Sequence, residues 1–525
     1  MKEPSARLSS EVSESDWEKT PPSIKALVES LLSRLDEMEK QLEVLKEENR
    51  ELREENRELR EENKRLKQEN EVLKEQLQRN SKNSSQPPSA DKFKGFKATP
   101  KSGRKRGGQP GHEGRGQKRY PAEACERLEN YYPQECHRCG SGLAGDDPEP
   151  QWVQQIELPK LEPVVVEHRF HQLKCESCGA LTRGWDEEII NGSVYGERLS
   201  ALVGWLCSVG HQSHRQVQAL FDEVFNIEIS TGGINRIRCE LSDSLADIAQ
   251  EAREYVRDSA IVNMDETSFV QGNGDGNNPK KTKGWLWVAV TPLVSYFEVF
   301  LSRSKEVARQ LLSEDFGGIV GSDRCGAYVW LANEQRQVCW AHLKRDFTQI
   351  AERSGVSAQL GAELLKQQQL LFTAWYQVRN GTLSRGDFAH QVKPIREEVR
   401  HLLEEGANYD VAKGEKTALA KTVGTCRKML TVEPAFWTFA LRDGVEPTNN
   451  AAERALRPAV LWRKHSFGSN SKAGSRFVAR MMTVVTSLKA QKRSTLAFLA
   501  QALLASRSGC PRPSLIPAIG TTPEV

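Results

Sequence analysis

The chain has 525 residues, 38% of them hydrophobic, which is enough apolar material for a sizeable core and about two to four domains. No stretch approaches the roughly 18 consecutive apolar residues of a membrane helix, and the first residues lack the apolar run of a secretory signal. The sequence therefore predicts a soluble, cytoplasmic protein. Its formal net charge of +3 favours no particular partner.

After an N-terminus at residues 1–30 that is predicted to be disordered, a leucine repeat covers residues 31–78. Leucines recur every seven residues among Glu, Arg and Lys, and asparagines occupy the alternate core position from Asn49 to Asn70. This pattern is typical of a coiled coil, and asparagine at that position favours a parallel dimer. The alternative is a single, solvated charged helix. The leucines are Leu45, Leu52, Leu59, Leu66 and Leu73.

Residues 79–120 form a basic segment rich in Ser, Pro and Gly. Between Arg79 and Arg119 there are twelve Lys or Arg and two acidic residues. Such a composition cannot bury a core and predicts a flexible linker. Its densest part includes Arg104, Lys105 and Arg106, which could neutralise DNA phosphates; the alternative is a solubilising tether.

Residues 121–190 contain two Cys-x-x-Cys-Gly motifs separated by 35 residues. Two such turns offer four thiolates, which can close a tetrahedral structural Zn²⁺ site. We predict a zinc-ribbon-like module whose ligands are Cys136, Cys139, Cys175 and Cys178. The alternative is four reduced thiols in a small β-rich module.

Residues 191–258 show a helical pattern. Arg215–Phe225 and Ser230–Leu241, with a short turn between them, have the outline of a helix-turn-helix, and Ser230 or Thr231 would cap the second helix. Two packed helices without any ligand are the alternative interpretation.

From residue 259 the pattern changes to strands, and we assign residues 259–353 to the first part of an α/β core. Two apolar runs end at Asp265 and Asp323, and Trp285–Thr291 and Tyr296–Leu301 complete a three-stranded meander with the first. Both aspartates are predicted at the carboxyl ends of their strands. Taken alone, an Asp at a strand end is more often a cap or turn residue.

A mainly helical insertion is predicted over residues 354–446, and the core resumes over residues 447–505, before a disordered tail at residues 506–525. The resumed part begins with a helix that Thr448 or Asn449 could cap, so that Glu453 lies in its first turns. Two Asp and one Glu suit Mg²⁺ (or Mn²⁺), which prefers oxygen ligands, and a pair of such ions can support transfer of a phosphodiester.

Four strings carry a specific resemblance: VNMDETSF, GSDRCGAY, CWAHLKRDF and PTNNAAERALRPAVLWRK. Together with the zipper, the GGQPGH element and the four-cysteine module, they resemble the transposases of the insertion sequence 66 family. The resemblance implies an RNase H-like core with an Asp-Asp-Glu triad, here Asp265, Asp323 and Glu453. It also implies Mg²⁺ dependence, binding of terminal inverted repeats and target DNA, and small accessory proteins encoded by the same element.

The resulting hypothesis is a DNA transposase: water cleaves at the element's end, and the released 3′-hydroxyl attacks target DNA by direct transesterification. Two rivals remain at this level, a non-enzymatic zinc-containing DNA-binding regulator and an RNase H-like nuclease without strand transfer. The regulator leaves the two aspartates and the glutamate helix unexplained.

Further candidates surround the glutamate. Arg454, Arg457, Arg463 and Lys464 lie on its helix, where phosphate contacts or a solvated face would explain them. Cys339-x-x-His342 offers two potential zinc ligands, which do not complete a site. We expect it to have a structural or supporting role, or to contact DNA.

Overall fold

The computed structural model describes residues 13–78, 119–187, 189 and 193–517. The chain divides into two compact units, Met1–Lys92 and Phe93–Val525. Within the described ranges, every helix is too short or too polar to cross a bilayer. The fold class is a mixture of helices and sheet, with a helical N-terminal unit and a helix-rich C-terminal part.

The first unit consists of α1 (Glu14–Glu18) and α2 (Pro22–Gln78). Residues 22–30 were predicted to be disordered but are helical, because Pro22 suits a helix start and Ile24 and Leu27 continue the apolar spacing towards Leu31. Four leucines of the repeat, Leu45, Leu52, Leu59 and Leu66, are exposed on a single copy of the chain, and Leu52 has an exposed fraction of 56%. An uncovered apolar stripe of this length is unfavourable in water.

The second unit begins with an extended segment, residues 119–187, that has little regular structure. It contains one short helical turn (Ala122–Ala124) and a hairpin of β1 (Gln172–Lys174) and β2 (Leu181–Arg183). Apolar side chains here lie on the surface, Val153 being 96% exposed. The segment therefore has little core of its own to stabilise it.

Four helices follow: α3 (Glu197–Ser208), α4 (His214–Phe225), α5 (Thr231–Ser244) and α6 (Ala246–Arg257). The predicted helix pair is α4 and α5, and Ser230 caps α5 by accepting a hydrogen bond from the Gly233 N–H at 3.0 Å. Ile234 and Leu241 belong to the same hydrophobic core as the strands that come next. These helices thus share a core with the sheet and are not a separate domain.

The central sheet has five strands, and α7 (Lys305–Leu312) lies in the connection between the third and fourth of them. The strands are β3 (Ile261–Ser268), β4 (Trp285–Val290), β5 (Ser295–Phe300), β6 (Ile319–Ser322) and β7 (Arg336–Val338). Their spatial order is β5-β4-β3-β6-β7. The strands β3, β4 and β5 form the predicted antiparallel meander, whereas β6 and β7 run parallel to β3.

The position of Asp265 differs from the prediction, because β3 continues past it to Ser268. Pairing with β4 keeps the polar residues from Asp265 to Ser268 in an extended conformation, and the last pair is Ser268 with Trp285. The parallel ladder with β6 ends earlier, at Asn263 opposite Gly321. Asp265 therefore lies just beyond the carboxyl end of the parallel part of the sheet, although it is inside its own strand.

The predicted insertion is helical and has a second hydrophobic core. The helix α8 (Trp340–Ala351) was predicted to belong to the first part of the α/β core, before the insertion at residues 354–446. Its side chains Trp340, Leu343 and Phe347 are instead buried in the second hydrophobic core. The helices are α8 (Trp340–Ala351), α9 (Val356–Arg379), α10 (Arg385–Ala407), α11 (Ala418–Leu430) and the short α12 (Thr438–Leu441).

The chain then returns to the sheet with α13 (Asn450–Ser466), α14 (Lys472–Ala490) and α15 (Thr495–Ser508). The predicted disordered tail is partly wrong: α15 extends to Ser508, and the following segment packs on the body. Leu515 is fully buried, and its N–H donates to Glu251 at 3.2 Å. Residues 518–525 lie outside the described part.

Candidate active site

Asp265 and Glu266 are neighbours on β3 whose side chains point to opposite faces of the strand. Glu266 is buried and accepts hydrogen bonds from the Tyr328 hydroxyl and the Arg303 Nε, both at 2.6 Å. Asp265 accepts the N–H of Glu266 at 2.9 Å. Glu266 thus pairs with a cation and a phenol, whereas the charges that act most strongly on Asp265 are those of the acids Glu266, Asp323 and Glu453.

Asp323 directly follows β6, the strand next to β3. Its Oδ1 accepts the N–H of Cys325 at 2.8 Å, which fixes the carboxylate at the strand end. The Arg303 guanidinium lies 3.8 Å from its other oxygen. Asp323 keeps 22% of its side chain exposed, so it is open to solvent at the edge of the sheet.

Glu453 lies in the first turn of α13, and contacts near the start of that helix hold it beside the sheet. Either Thr448 or Asn449 was predicted to cap the helix, and Asn449 occupies the cap position without a capping hydrogen bond to its side chain. Instead its Nδ2 donates to the carbonyl of Met264 on β3 at 2.6 Å, and its N–H donates to the Cys339 Sγ at 3.1 Å. Asn449 therefore links the helix start to β3 through its side chain and to Cys339 through its backbone.

The three predicted carboxylates are close enough to interact electrostatically. Burial, followed by the charge of Glu266 and then those of Asp323 and Glu453, raises the pKa of Asp265 to about 8. Burial, together with the charge of Asp323, also raises the pKa of Glu453, against the opposing effect of Arg345. Carboxylates that resist ionisation together in this way require a proton or a cation between them.

His342 and Cys339 lie next to Glu453. The His342 Nδ1 is 3.7 Å from the Glu453 Oε1, and both atoms are buried without a hydrogen-bond partner. Burial and the nearby Arg345 lower the pKa of His342 to about 4, so the imidazole is neutral near pH 7. The sequence offered only two ligands in Cys339-x-x-His342, and the fold supplies Glu453 as a third.

The described residues contain two groups of three potential metal ligands, and within each group the ligand atoms lie within 4.8 Å of one another. One group is Glu266, Asp323 and Cys325, and the other is Cys339, His342 and Glu453. Asp265 belongs to neither group, although its charge is coupled to both. The donors around Asp265 are mainly carboxylate oxygens, and Glu453 contributes an orphaned buried oxygen. Carboxylate oxygens of this kind fit a hard divalent cation.

The four predicted zinc ligands form two similar turns. In each motif the glycine takes a positive φ, 72° at Gly140 and 75° at Gly179, and its N–H returns to the first cysteine's carbonyl. Hydrogen bonds lower the pKa of Cys139, chiefly from Ser141, and that of Cys175, chiefly from the Cys178 N–H. Each turn is suited to two metal bonds. In the described residues 119–187, however, the two cysteine pairs do not come together as one four-thiolate group. The pairs are Cys136 with Cys139 and Cys175 with Cys178.

The predicted DNA-contacting residues fall into three groups. Arg454, Arg457 and Lys464 are exposed on α13. Arg463 is different, because its Nη1 donates to the Thr267 Oγ1 at 2.9 Å and the Ser268 Oγ at 2.6 Å and so ties α13 to β3. The third group, Arg104, Lys105 and Arg106, lies outside the described residues, as does the linker over residues 79–118.

Sequence reasoning did not find the partners of Glu266. Arg303 and Tyr328 lie 37 and 62 residues away from it, and no local pattern links them. The string GSDRCGAY contains Tyr328, but only the fold shows its hydroxyl directed at a carboxylate. His342 and Arg345 were visible in CWAHLKRDF without any sign that both approach Glu453.

Comparison with known proteins gives two family matches. The family model described as "Transposase IS66 family" covers residues 192–476, and one of a family of unknown function (DUF6444) covers residues 43–118. A curated relative, "Uncharacterized protein y4qI" of Sinorhizobium fredii (strain NBRC 101917 / NGR234), is 29% identical over 311 residues, which are 54% of this chain and 55% of the relative. The chain thus spans about half the length of that relative. Because the first match covers more than half of the 525 residues, and includes Asp265, Asp323 and Glu453, the chain belongs to the IS66 family of transposases.

Proposed function

We propose that the chain is a DNA transposase of the Asp-Asp-Glu type, which cleaves at the ends of its element and joins the 3′-hydroxyl to target DNA. The observation that carries this proposal is the approach of Asp265, Asp323 and Glu453, from β3, the end of β6 and the start of α13, to one edge of the sheet. The strand order, with β3 at its centre, supports an RNase H-like core.

The proposed cofactor is Mg²⁺ or Mn²⁺, held by the same three carboxylates. When bound, a pair of divalent ions stabilises the charge that builds on the attacking and leaving oxygens of a phosphodiester. Asp265 is the better ligand of the two adjacent acids on β3, because Glu266 already forms an ion pair with Arg303 and accepts a hydrogen bond from Tyr328.

The remaining residues have proposed roles in holding and orienting. Asn449 fixes the helix start relative to β3, so that Glu453 faces Asp265. Arg345, 3.9 Å from Glu453, limits the repulsion among the acids. The exposed cations of α13 would hold phosphates along the helix; such contacts position DNA without reading its sequence.

The cysteine module and the leucine helix have proposed structural roles. Four thiolates in two matching turns would hold one Zn²⁺, which would stabilise an otherwise core-poor segment. The stripe on α2 would pair with that of a second copy, and a dimer suits a reaction that must hold two DNA ends. The α4–α5 pair is retained as a candidate DNA-binding element.

The test uses DNA carrying the labelled ends of the encoding element, a target plasmid and Mg²⁺. Wild type should produce 3′ nicks and joined products, and Asp265→Asn should lower both rates by at least about a thousandfold while binding the ends normally. Asp258→Asn, an exposed aspartate outside the site, is the matched control. Strand transfer retained by Asp265→Asn would refute the assignment, whereas nicking without joining by wild type would indicate a nuclease.

A further inference from the structure

The turn that follows α13 holds an aromatic side chain in water. Phe467 is 84% exposed, and its φ of 58° places it in the left-handed region, which a bulky residue seldom occupies. Glycine is the usual residue at this position after a helix. Neither burial nor backbone preference therefore explains a phenylalanine here.

The turn is rigid, because the loop between β3 and β4 clamps it. The Ser469 N–H donates to the carbonyl of Val270 at 2.9 Å, and the Gly272 N–H donates to the carbonyl of Ser469 at 2.8 Å. Gly468 has a φ of 113°, and a Cβ there would meet the Val270 oxygen at 2.2 Å. Phe467 is thus presented in one backbone orientation.

The same loop also fixes the start of the next helix. The Asp275 Oδ2 accepts the N–H of Lys472, the first residue of α14, at 2.8 Å. On the other side, Arg463 joins the end of α13 to Thr267 and Ser268, two and three residues beyond Asp265 on β3. The exposed ring is therefore connected to the candidate active site through short, hydrogen-bonded links.

The surroundings of the ring are cationic and polar. Lys464, His465 and Lys472 are exposed around the turn, and the clamping loop carries exposed Lys280 and Lys281. Val270 beside the turn is also exposed, by 58%. An exposed aromatic ring amid cationic side chains is the arrangement that stacks on nucleic-acid bases, whereas a protein-docking surface would present a larger contiguous apolar patch.

We propose that Phe467 is a stacking residue, which receives a base displaced from the DNA helix near the cleavage site. It lies 14 residues after Glu453 on the same helix, a distance of about 21 Å along the axis, or about six base steps. This inference rests on the proposed function and adds a contact that the three carboxylates do not provide.

The test compares the affinity of the full-length chain, without Mg²⁺, for a paired duplex, for the same duplex with a small mismatched bubble, and for single-stranded DNA. Wild type should prefer the bubble over the paired duplex. Phe467→Gly should weaken binding to the bubble and the single strand about five- to one-hundredfold, with little change for the paired duplex. Phe467→Trp should bind like wild type.

Loss of folding does not confound the glycine variant, since glycine relieves the left-handed strain and the urea midpoint should be equal or higher. Leu461→Ala, on the same helix and 46% exposed, is the control for loss of an apolar surface side chain. Bubble affinity that is unchanged in Phe467→Gly, or no bubble preference in wild type, would overturn the proposal. If the end-cleavage assay fails while this difference persists, the stacking role stands and the proposed function does not.

Discussion

Burial raises the pKa of both adjacent carboxylates, Asp265 and Glu266, but their partners differ. Tyr328 and Arg303 act against the burial that raises the pKa of Glu266. Asp265 accepts a hydrogen bond from the backbone N–H of Glu266, and burial and the charges of neighbouring acids dominate its surroundings. A buried acid among other acids favours its protonated form. We therefore expect Asp265 to be more available to a metal ion than Glu266, which already pairs with Arg303 and Tyr328.

The first prediction concerns the pH dependence of stability in Mg²⁺-free buffer. Asp265 has a pKa of about 8 in the folded chain, and an unfolded aspartate has one of about 3.9. Between these values the folded state binds a proton that the unfolded state has lost, so the free energy of unfolding falls as pH rises, by at most about 1.4 kcal/mol per pH unit. This loss should be complete above pH 8.

Urea denaturation of wild type and Asp265→Asn from pH 5 to 8 measures that contribution, because the difference between the two curves removes the other titrating groups. Wild type should lose stability relative to the variant as pH rises, and Mg²⁺ should restore it in wild type alone. Parallel curves would show that Asp265 is ionised throughout this range in the metal-free protein.

At the scale of elements, contacts at both ends of α13 position the glutamate. Asn449 joins the start of the helix to β3 and to Cys339. Arg463 joins the end of the helix to Thr267 and Ser268. These contacts join residues that are more than a hundred positions apart in the sequence.

The second prediction tests the Asn449 connection. Asn449→Ala removes a buried hydrogen bond and leaves the Met264 carbonyl unpaired, which should cost about 1–3 kcal/mol of stability. A shift of Glu453 by about 1 Å should lower the cleavage rate about a hundredfold with little change in DNA affinity. Single-turnover rates and DNA Kd values, measured separately, check this. Asn450→Ala, at the exposed neighbouring position, should behave like wild type in both measurements.

The sequence predicted these elements well where one apolar pattern determined them. The runs at Val262 and Val320 became neighbouring parallel strands, and their aspartates approached one another. The sequence failed where a distant partner decided the outcome: pairing with β4 extended β3 through Asp265, and Met264 drew the Asn449 side chain away from its cap. Such contacts leave no periodic signal in the local sequence.

At the scale of the molecule, the second unit is built on two hydrophobic cores that meet at the candidate site. One contains β3–β6, α3–α7 and α13–α15, and the other contains β7 and the insertion helices. Val338 on β7 belongs to the insertion core, while Val320 on the adjacent β6 belongs to the sheet core. Asp323 and Glu453 lie where the chain passes between these cores, so the insertion supplies Cys339 and His342 to the edge of the sheet.

The last prediction concerns α2 in the first unit, which has an exposed leucine stripe. Leu52 and Leu59 are 56% and 49% exposed, and both lie at the predicted core position of the heptad. Burying such side chains against a second copy would contribute about 1.5–3 kcal/mol for each fully buried leucine. The Asn56 and Asn63 amides, which donate to the carbonyls of Leu52 and Leu59, would have to turn towards their counterparts in a parallel pair.

Leu52→Glu with Leu59→Glu should therefore convert a dimer into a monomer, because four like charges would face one another along the seam. Light scattering after size-exclusion chromatography should give twice the chain mass for wild type and the single mass for the double variant. Glu54→Gln with Glu61→Gln, on the same helix outside the leucine positions, is the control and should stay dimeric. If the glutamate variant also loses joint cleavage of paired DNA ends yet still nicks one end, dimerisation serves synapsis and not the chemistry of Asp265, Asp323 and Glu453. A monomeric wild type would instead mean that the stripe on α2 is covered by something other than a second copy of this chain.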